Sequence, residues 1–229
     1  MLLASPSGIT GAGGTPSHTF LHNLATSEEM IMDVYYESGL EGILDYGIYR
    51  RAVNGAADIS VSKDEIITII DFTRPSSEKR LFVIDLRNKK LLFHTLVSHG
   101  RNSGNLECTH FSNRPGSLQS SPGFYLTAET YSGRHGYSLR LDGMEPGIND
   151  QARTRAIVIH GADYVSQRFV DDHGYLGRSW GCPALPLDLS KKIIDIIKEG
   201  SCLFIYTDNK TYLSQSSLLN FTEATDQVL

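Results

Sequence analysis

This chain of 229 residues is poor in long apolar segments, in clusters of basic residues and in cysteines that could pair. No apolar run approaches the roughly 20 residues that a helix needs to cross a bilayer, so we predict no transmembrane segment. Lysine and arginine are scattered and the formal net charge is −5, which disfavours a broad polyanion-binding surface and nucleic acid as a partner. With 40% hydrophobic and 21% charged residues, the composition is that of a folded soluble protein.

Cysteines are also few. Cys108, Cys182 and Cys202 cannot build a disulfide scaffold, and their odd number leaves at least one free thiol unless two chains pair. The first residues, MLLASPSGITGAGGTPS, have neither the basic region nor the apolar core of a signal peptide. We therefore expect a cytosolic protein, or an exported one whose signal is not in this sequence.

Composition and periodicity divide the chain into four segments. They are a flexible tail rich in Gly, Ser, Thr and Pro (1–25), a helical segment (26–59), a mainly β domain (60–208) and a C-terminal extension (209–229). In the helical segment we predict two amphipathic helices broken near Gly39, the first beginning with Thr26 and Glu29 as a capping box.

The main domain has the β-branched and alternating content of strands, together with one clear helix. Strands are predicted at 65–72, 80–86, 90–100, 123–130, 137–141, 156–162 and 201–207. The helix, in LSKKIIDIIKEG, has its isoleucines on one face and Gly200 as its predicted C-cap. The predicted fold class is mainly β (α+β).

The stretch GRSWGCPALP, residues 177–186, holds two candidate nucleophiles. Ser179 stands in a G-x-S-x-G frame, but a serine hydrolase of that type needs a histidine downstream, and the last histidine of the chain is His173. Cys182 needs only a nearby imidazole, and His160 is a candidate because it lies where an apolar strand meets a glycine turn. The alternative for Cys182 is a small buried hydrophobe, although Gly-Cys-Pro in a polar loop is a poor packing site. Cys202, on a strand, is predicted to be structural.

A metal site is a competing interpretation. Cys108 and His110, with His99 nearby, carry ligand atoms, but a C-x-H arrangement with a histidine nine residues upstream matches no usual zinc spacing. We predict no metal site there.

The segments VIHGA and GRSWGCPAL resemble the catalytic region of the L,D-transpeptidases that crosslink bacterial murein. Further segments in the same order resemble one branch, the murein L,D-transpeptidase catalytic-domain family: IDFTRPSSEKRLFVIDL, SHGRNSG, FSNRPGSLQSSPGFY and GYSLRLDGMEPGIND. The similarity covers about residues 60–208. It implies a β-sandwich with short helices that serves as a catalytic domain.

The resemblance also implies roles for individual residues. Cys182 matches the nucleophile, His160 the general base, and the carbonyl of Gly161 the group that orients the imidazole. The backbone amides of Trp180, Gly181 and Cys182 match an oxyanion hole. No metal or organic cofactor is implied.

Two departures from the family pattern concern the pocket. Trp180 stands where most members have a second histidine, and Pro183-Ala184 stands where an asparagine or arginine is usual. Arg178 is a candidate for the missing contact to a substrate carboxylate, unless it is a solvated loop residue, and Ser179 is expected to form local hydrogen bonds. His99 and Asn102, in SHGRNSG, are candidate substrate-binding residues, unless their loop only caps the strand.

The implied function is peptidoglycan modification through a cysteine thioester on tetrapeptide stems. It yields either 3→3 crosslinks or trimming of the terminal D-Ala. The implied partners are peptidoglycan stem peptides, and the implied location is the periplasm or cell envelope. The alternatives are another cysteine peptidase or amidase, and a catalytically inactive murein-binding protein, which Trp180 keeps open.

Overall fold

A computed structural model describes residues 20–220, over which eight strands and six short helices form a mixed α+β fold. The helices are α1 (Phe20–Ala25), α2 (Glu28–Glu37), α3 (Tyr46–Ala57), α4 (Gln167–His173), α5 (Leu187–Ile197) and α6 (Lys210–Gln215). The strands are β1 (Ile66–Asp71), β2 (Leu81–Asp85), β3 (Lys90–Thr95), β4 (Gly123–Gly133), β5 (Gly136–Gly143), β6 (Val158–Ala162), β7 (Ala184–Pro186) and β8 (Cys202–Tyr206). None of the helices in this part of the chain has the length and apolar character to cross a membrane.

The strands belong to one sheet in the order β3-β2-β1-β8-β4-β5-β6-β7. Its two outermost strands meet, because the chain that leaves β3 runs beside β7: the Ser98 amide donates to the Ala184 carbonyl at 2.9 Å, and Gly100 forms a bridge with Ser179. The sheet therefore curls around its inner face, as a sandwich of mainly antiparallel strands does. The predicted α+β fold with short helices is confirmed.

The N-terminal helices share a core with the outer face of the sheet. Phe124 and Phe204 stack on neighbouring strands with their ring centroids 4.2 Å apart, in one apolar cluster with the buried side of α1 to α3. Gly55 of α3 lies so close that an added Cβ would stand 2.2 Å from the Phe124 ring. The helical segment and the β domain therefore pack as one body.

The inner core positions the strand that carries His160. Ile193, Ile194 and Ile197 of α5 are fully buried and belong to the same cluster as Ile159 of β6. Burying a side chain of this size stabilises the fold by about 1.5–3 kcal/mol, so packing against α5 stabilises β6 in its place within the sheet.

The N-terminal boundaries differ from the sequence prediction. Residues 20–25 of the predicted tail form α1, because Leu21 and Leu24 are buried in the outer core and packing overrides the polar composition. The cap of α2 is Ser27, whose Oγ accepts from the Met30 amide at 3.3 Å, whereas the Thr26 hydroxyl donates back to the Asn23 carbonyl. The rest of the predicted tail and the last nine residues of the predicted extension lie outside the described residues.

Two further differences concern the second half of the chain. Helix α5 ends with Lys198 as its C-cap, and Gly200 follows in the left-handed region with φ +105°. The sequence pattern did not predict α4 or β7, since α4 buries no side chain and β7 has three residues.

Candidate active site

Strands β6 and β7 are adjacent and parallel, and they bring the two predicted reactive groups to one cleft. His160 pairs with Ala184, two residues after Cys182. Both side chains line the same open cleft, whose volume is about 390 Å³. The polar loop between the two strands thus folds back and places Cys182 in the same cleft as His160.

His160 is almost fully buried and held in one orientation. Its Nδ1 lies 2.9 Å from the Gly161 carbonyl oxygen, and because a carbonyl only accepts, Nδ1 carries the proton and Nε2 is the unprotonated nitrogen. The ring stacks on His135 of the β4–β5 hairpin, with centroids 4.5 Å apart. Burial lowers the pKa of His160, the nearby His135 lowers it further, and the Gly161 carbonyl opposes both. The neutral imidazole, which can act as a base, is the favoured form.

Cys182 is half-buried over the backbone that leads into β6. Its Sγ accepts from the Val158 amide at 3.4 Å, and the thiol donates to the Ala156 carbonyl at 3.7 Å. Burial raises the pKa of the thiol, while the Val158 amide and the positive charge of Arg155 lower it. Both shifts favour a neutral thiol and a neutral imidazole over an ion pair.

Ser179 shapes the loop that carries the thiol. Its Oγ donates to the Cys182 carbonyl at 2.6 Å and accepts from the Gly181 amide at 3.1 Å. Its own amide donates to the His99 carbonyl, which ties the loop to the chain after β3. These are the local hydrogen bonds expected of Ser179, and they leave the buried hydroxyl occupied.

Gly181 is required by this loop for two reasons. Its φ is +121°, a region that L side chains rarely adopt, and an added Cβ would stand 2.8 Å from the Gln119 carbonyl oxygen. Its amide is already bound to Ser179, so the predicted oxyanion hole differs from the structure at this position. The amides of Trp180 and Cys182 make no hydrogen bond within residues 20–220, and they are the donors left for an oxyanion.

The four predicted substrate-binding residues separate into two pairs. Arg178 and Ser179 line the cleft, and the guanidinium of Arg178 also binds the carbonyl of Gly104 and the side chain of Asn105. His99 is fully buried, and Asn102 donates to the Ser117 carbonyl at 2.9 Å, so neither lines the cleft. Their loop instead binds the back of the loop 177–183 that carries Cys182, which is called the catalytic loop below.

The polar cleft residues that escaped the sequence interpretation are Arg155, Arg134, His135, Tyr131 and Tyr164. Arg155 lies three residues before β6, the strand of His160, and His135 is at the tip of the β4–β5 hairpin. Trp180, which replaces the usual histidine of the family pattern, is 65% exposed at the rim of the cleft. No motif marks these positions, since each reaches the cleft through long-range folding.

The other two cysteines, Cys108 and Cys202, do not line the cleft. All three are free, and Cys108 and Cys202 are buried in the core. Burial raises the pKa of Cys108 to about 12, so its thiol is protonated and inert. Across residues 20–220, no group of three or more His, Cys, Asp or Glu side chains is arranged to hold a metal ion.

The buried His99 predicts a pH dependence of stability. Its Nδ1 accepts from Arg80 at 2.8 Å, and its Nε2 lies 3.2 Å from the Gly104 carbonyl. Burial, with Arg80 beside it, lowers the pKa of His99 from 6.5 to about 3. Between these values the unfolded chain binds a proton that the folded chain does not, so stability is kept above pH 6.5 and is lost as the pH falls towards 3.

His99→Gln tests this source of acid sensitivity, because an amide can accept from Arg80 and donate to the Gly104 carbonyl without titrating. We expect the wild type to lose up to about 1.4 kcal/mol of unfolding free energy per pH unit more than the variant between pH 6.5 and 3. Urea denaturation at a series of pH values measures the two slopes. Parallel curves for the two proteins would show that His99 is not responsible.

Comparison with known proteins identifies a family. The model of the L,D-transpeptidase catalytic domain matches residues 41–206, more than half of the chain, and begins within the helical segment rather than at residue 60. Among curated proteins, a search finds no match.

The chain is also similar to several solved structures, each at low identity. An L,D-transpeptidase from Mycobacterium smegmatis has 13% identity and a TM-score of 0.39, with 62% of this chain and 59% of that chain covered. One from Mycobacterium tuberculosis has 12% identity and a TM-score of 0.41, with 62% and 58% covered. The helical cell shape determining protein Pgp2 from Campylobacter jejuni has 16% identity and a TM-score of 0.41, with 63% and 48% covered.

This chain spans less than two thirds of the length of those structures. The family match does not depend on them, and it includes both β6, with His160, and the loop that carries Cys182. By that match, the chain belongs to the L,D-transpeptidase catalytic domain family.

Proposed function

We propose that this protein is a peptidoglycan-modifying cysteine enzyme that acts on tetrapeptide stems at the cell envelope, where an exported enzyme meets its substrate. The observation that carries the proposal is that a half-buried thiol and a buried imidazole line one cleft, the imidazole on β6 and the thiol two residues before the adjacent parallel strand β7. The family match supplies the class of reaction. A covalent intermediate divides a difficult amide exchange into two easier steps.

In the first step, Cys182 Sγ attacks the carbonyl carbon of the amide between diaminopimelate and the terminal D-Ala. The thiol proton passes to His160 Nε2, which is the nitrogen left free by the bond from Nδ1 to Gly161. The amides of Trp180 and Cys182 face the developing oxyanion. His160 then returns the proton to the leaving amine, D-Ala departs, and a thioester remains on Cys182.

In the second step, an amine of another stem or a water molecule attacks the thioester carbonyl. His160 takes a proton from the attacking group and returns it to the thiolate. An amine gives a 3→3 crosslink, whereas water gives a trimmed tripeptide and a free carboxylate. We propose both outcomes for the same site, since they differ only in the group that attacks.

The charge of the cleft supports an anionic peptide as substrate. Arg134, Arg155 and Arg178 line it, and among the described residues no aspartate or glutamate does. Protein acceptors bind both Nη1 and Nη2 of Arg155, whereas they bind only Nη1 of Arg178, so Arg134 and Arg178 are left to meet the carboxylates of a stem peptide.

The test is mass spectrometry of the products formed from disaccharide-tetrapeptide. We expect dimers lacking one D-Ala, tripeptide, or both, from the wild type and from Cys108→Ala, a matched thiol deletion outside the cleft. Cys182→Ala should give neither product. Unchanged tetrapeptide in every sample, with folded protein, would refute the proposal and favour another peptide substrate or a binding role.

A further inference from the structure

The guanidinium of Arg155 forms no salt bridge with an aspartate or glutamate in the described part of the chain. Nη1 donates to the Ser112 carbonyl at 2.7 Å and to Ser121 Oγ at 3.1 Å, and Nη2 donates to the Gln119 carbonyl at 2.5 Å and to Ser117 Oγ at 3.2 Å. All four acceptors are neutral. Within residues 20–220 it takes part in no ion pair, although partly buried charges are usually paired.

This guanidinium lies beside the catalytic loop, which carries Cys182. Its Nη2 is 3.3 Å from the position that a Cβ on Gly181 would occupy, one residue before Cys182. The thiol itself rests on the backbone that follows Arg155, with Sγ 3.7 Å from the Ala156 carbonyl oxygen. Arg155 and Cys182 also line the same cleft.

The four bonds of Arg155 also hold the loop 112–121 against the catalytic loop. Ser120, inside that loop, donates through Oγ to the Gly181 carbonyl at 3.2 Å. The Gln119 carbonyl, which Arg155 binds, is among the atoms closest to Gly181. One side chain thus fixes the support of Gly181 and places a positive charge beside the residue that precedes Cys182.

The other charged or titratable groups that face the cleft come from four places. Arg134 and His135 come from the β4–β5 hairpin with Tyr131, His160 from β6, Tyr164 from the loop after it, and Arg178 from the catalytic loop. Arg178 directs Nη1 to Gly104 and Asn105. Burial raises the pKa of the Cys182 thiol, and Arg155 is the charged side chain that opposes this effect.

We propose that Arg155 is a positioning residue of the active site: its guanidinium locks the loop 112–121 under Gly181 and stabilises the Cys182 thiolate. The proposal rests on the nucleophilic role of Cys182 proposed above. When the thiol proton moves to His160 Nε2, negative charge appears on Sγ and positive charge on the imidazole. The fixed, uncompensated cation offsets the first of these charges without having to move.

Alkylation of Cys182 by iodoacetamide across a range of pH tests this inference without a peptide substrate, so inactivity on stems would leave it intact. The folded chain of 229 residues is used, and Cys108 and Cys202 are buried. Below the midpoint of thiol ionisation, we expect Arg155→Gln to react about tenfold more slowly than the wild type, with the midpoint moved to higher pH. Arg155→Lys keeps the charge and should retain most of the rate, although it loses the four-acceptor clamp.

Arg114→Gln is the matched control, because Arg114 is an exposed arginine in the same loop. It should behave as the wild type. A purely structural role predicts lower thermal stability for both Arg155 variants with the midpoint unchanged, and that result, in protein shown to be folded by circular dichroism, would overturn the inference.

A second measurement decides the case in which Arg155→Gln does not fold. A resident cation attracts an anionic reagent, so the ratio of iodoacetate to iodoacetamide rates should exceed that of free cysteine. The excess should persist in the double variant Arg134→Gln/Arg178→Gln, which removes the other two cleft arginines. A ratio in that variant equal to or below that of free cysteine would overturn the inference.

Discussion

Replacing Cys182 by serine is expected to lower the rate of D-Ala release by about 10³-fold or more, since the activated nucleophile is lost. The reason lies in the basicity of its partner. Burial lowers the pKa of His160, so the imidazole is a base strong enough for a thiol but poorly matched to a hydroxyl. Steady-state release of D-Ala from tetrapeptide by the two proteins measures the effect.

The control for that comparison is Cys108→Ser, which makes the same atomic change at a buried thiol outside the cleft. It should keep the wild-type rate wherever it is folded. A Cys182→Ser protein that retained about a tenth of the activity would mean that the sulfur is not the attacking atom.

Replacing His160 by glutamine is expected to cost about 10² to 10⁴-fold in rate, the range that general acid–base catalysis usually contributes. The pH profile is the more specific readout. In the wild type, activity requires a neutral imidazole, and because the pKa of His160 is lowered, the acid limb should lie below pH 6.5. In the variant this limb should vanish, and the residual rate should rise with pH as the thiol ionises by itself.

Two other histidines provide the controls for this prediction. His110→Gln, at an exposed position away from the cleft, should leave the profile unchanged. His135→Gln removes the stacked ring that lowers the pKa of His160, so its acid limb should move to higher pH. An unchanged acid limb in His160→Gln would assign the titration, and the base, to another group.

Much of the fold follows from local patterns. The strand that carries His160 and the other strands of the inner core show an alternating or continuous apolar pattern over five or more residues, which predicts a strand. Helix α5 repeats isoleucine on one face, which predicts a helix. Strand β7 could not, because three residues carry no period and the strand exists only through its pairing with β6. Helix α1 could not either, since its leucines are buried by the rest of the fold.

The candidate site divides in the same way. Cys182 and His160 could be selected as candidates from their chemistry and their local context. Cys182 is a thiol that follows a glycine in a polar loop, and His160 is an imidazole at the end of an apolar strand. His99 could not be placed, because its sequence neighbours do not reveal that the ring turns inward to Arg80. Arg155 binds acceptors 34 to 43 residues away, and no local motif indicates such contacts.

The central claim is that Cys182 is a nucleophile that forms a covalent acyl adduct in this cleft. Its most direct test is intact-protein mass spectrometry after exposure to a carbapenem, followed by peptide mapping. We predict a single acyl adduct on the peptide that contains Cys182, and none in Cys182→Ala. An adduct that persists in Cys182→Ala, or a wild-type Cys182 that iodoacetamide alkylates but the acylating agent never modifies, would contradict it.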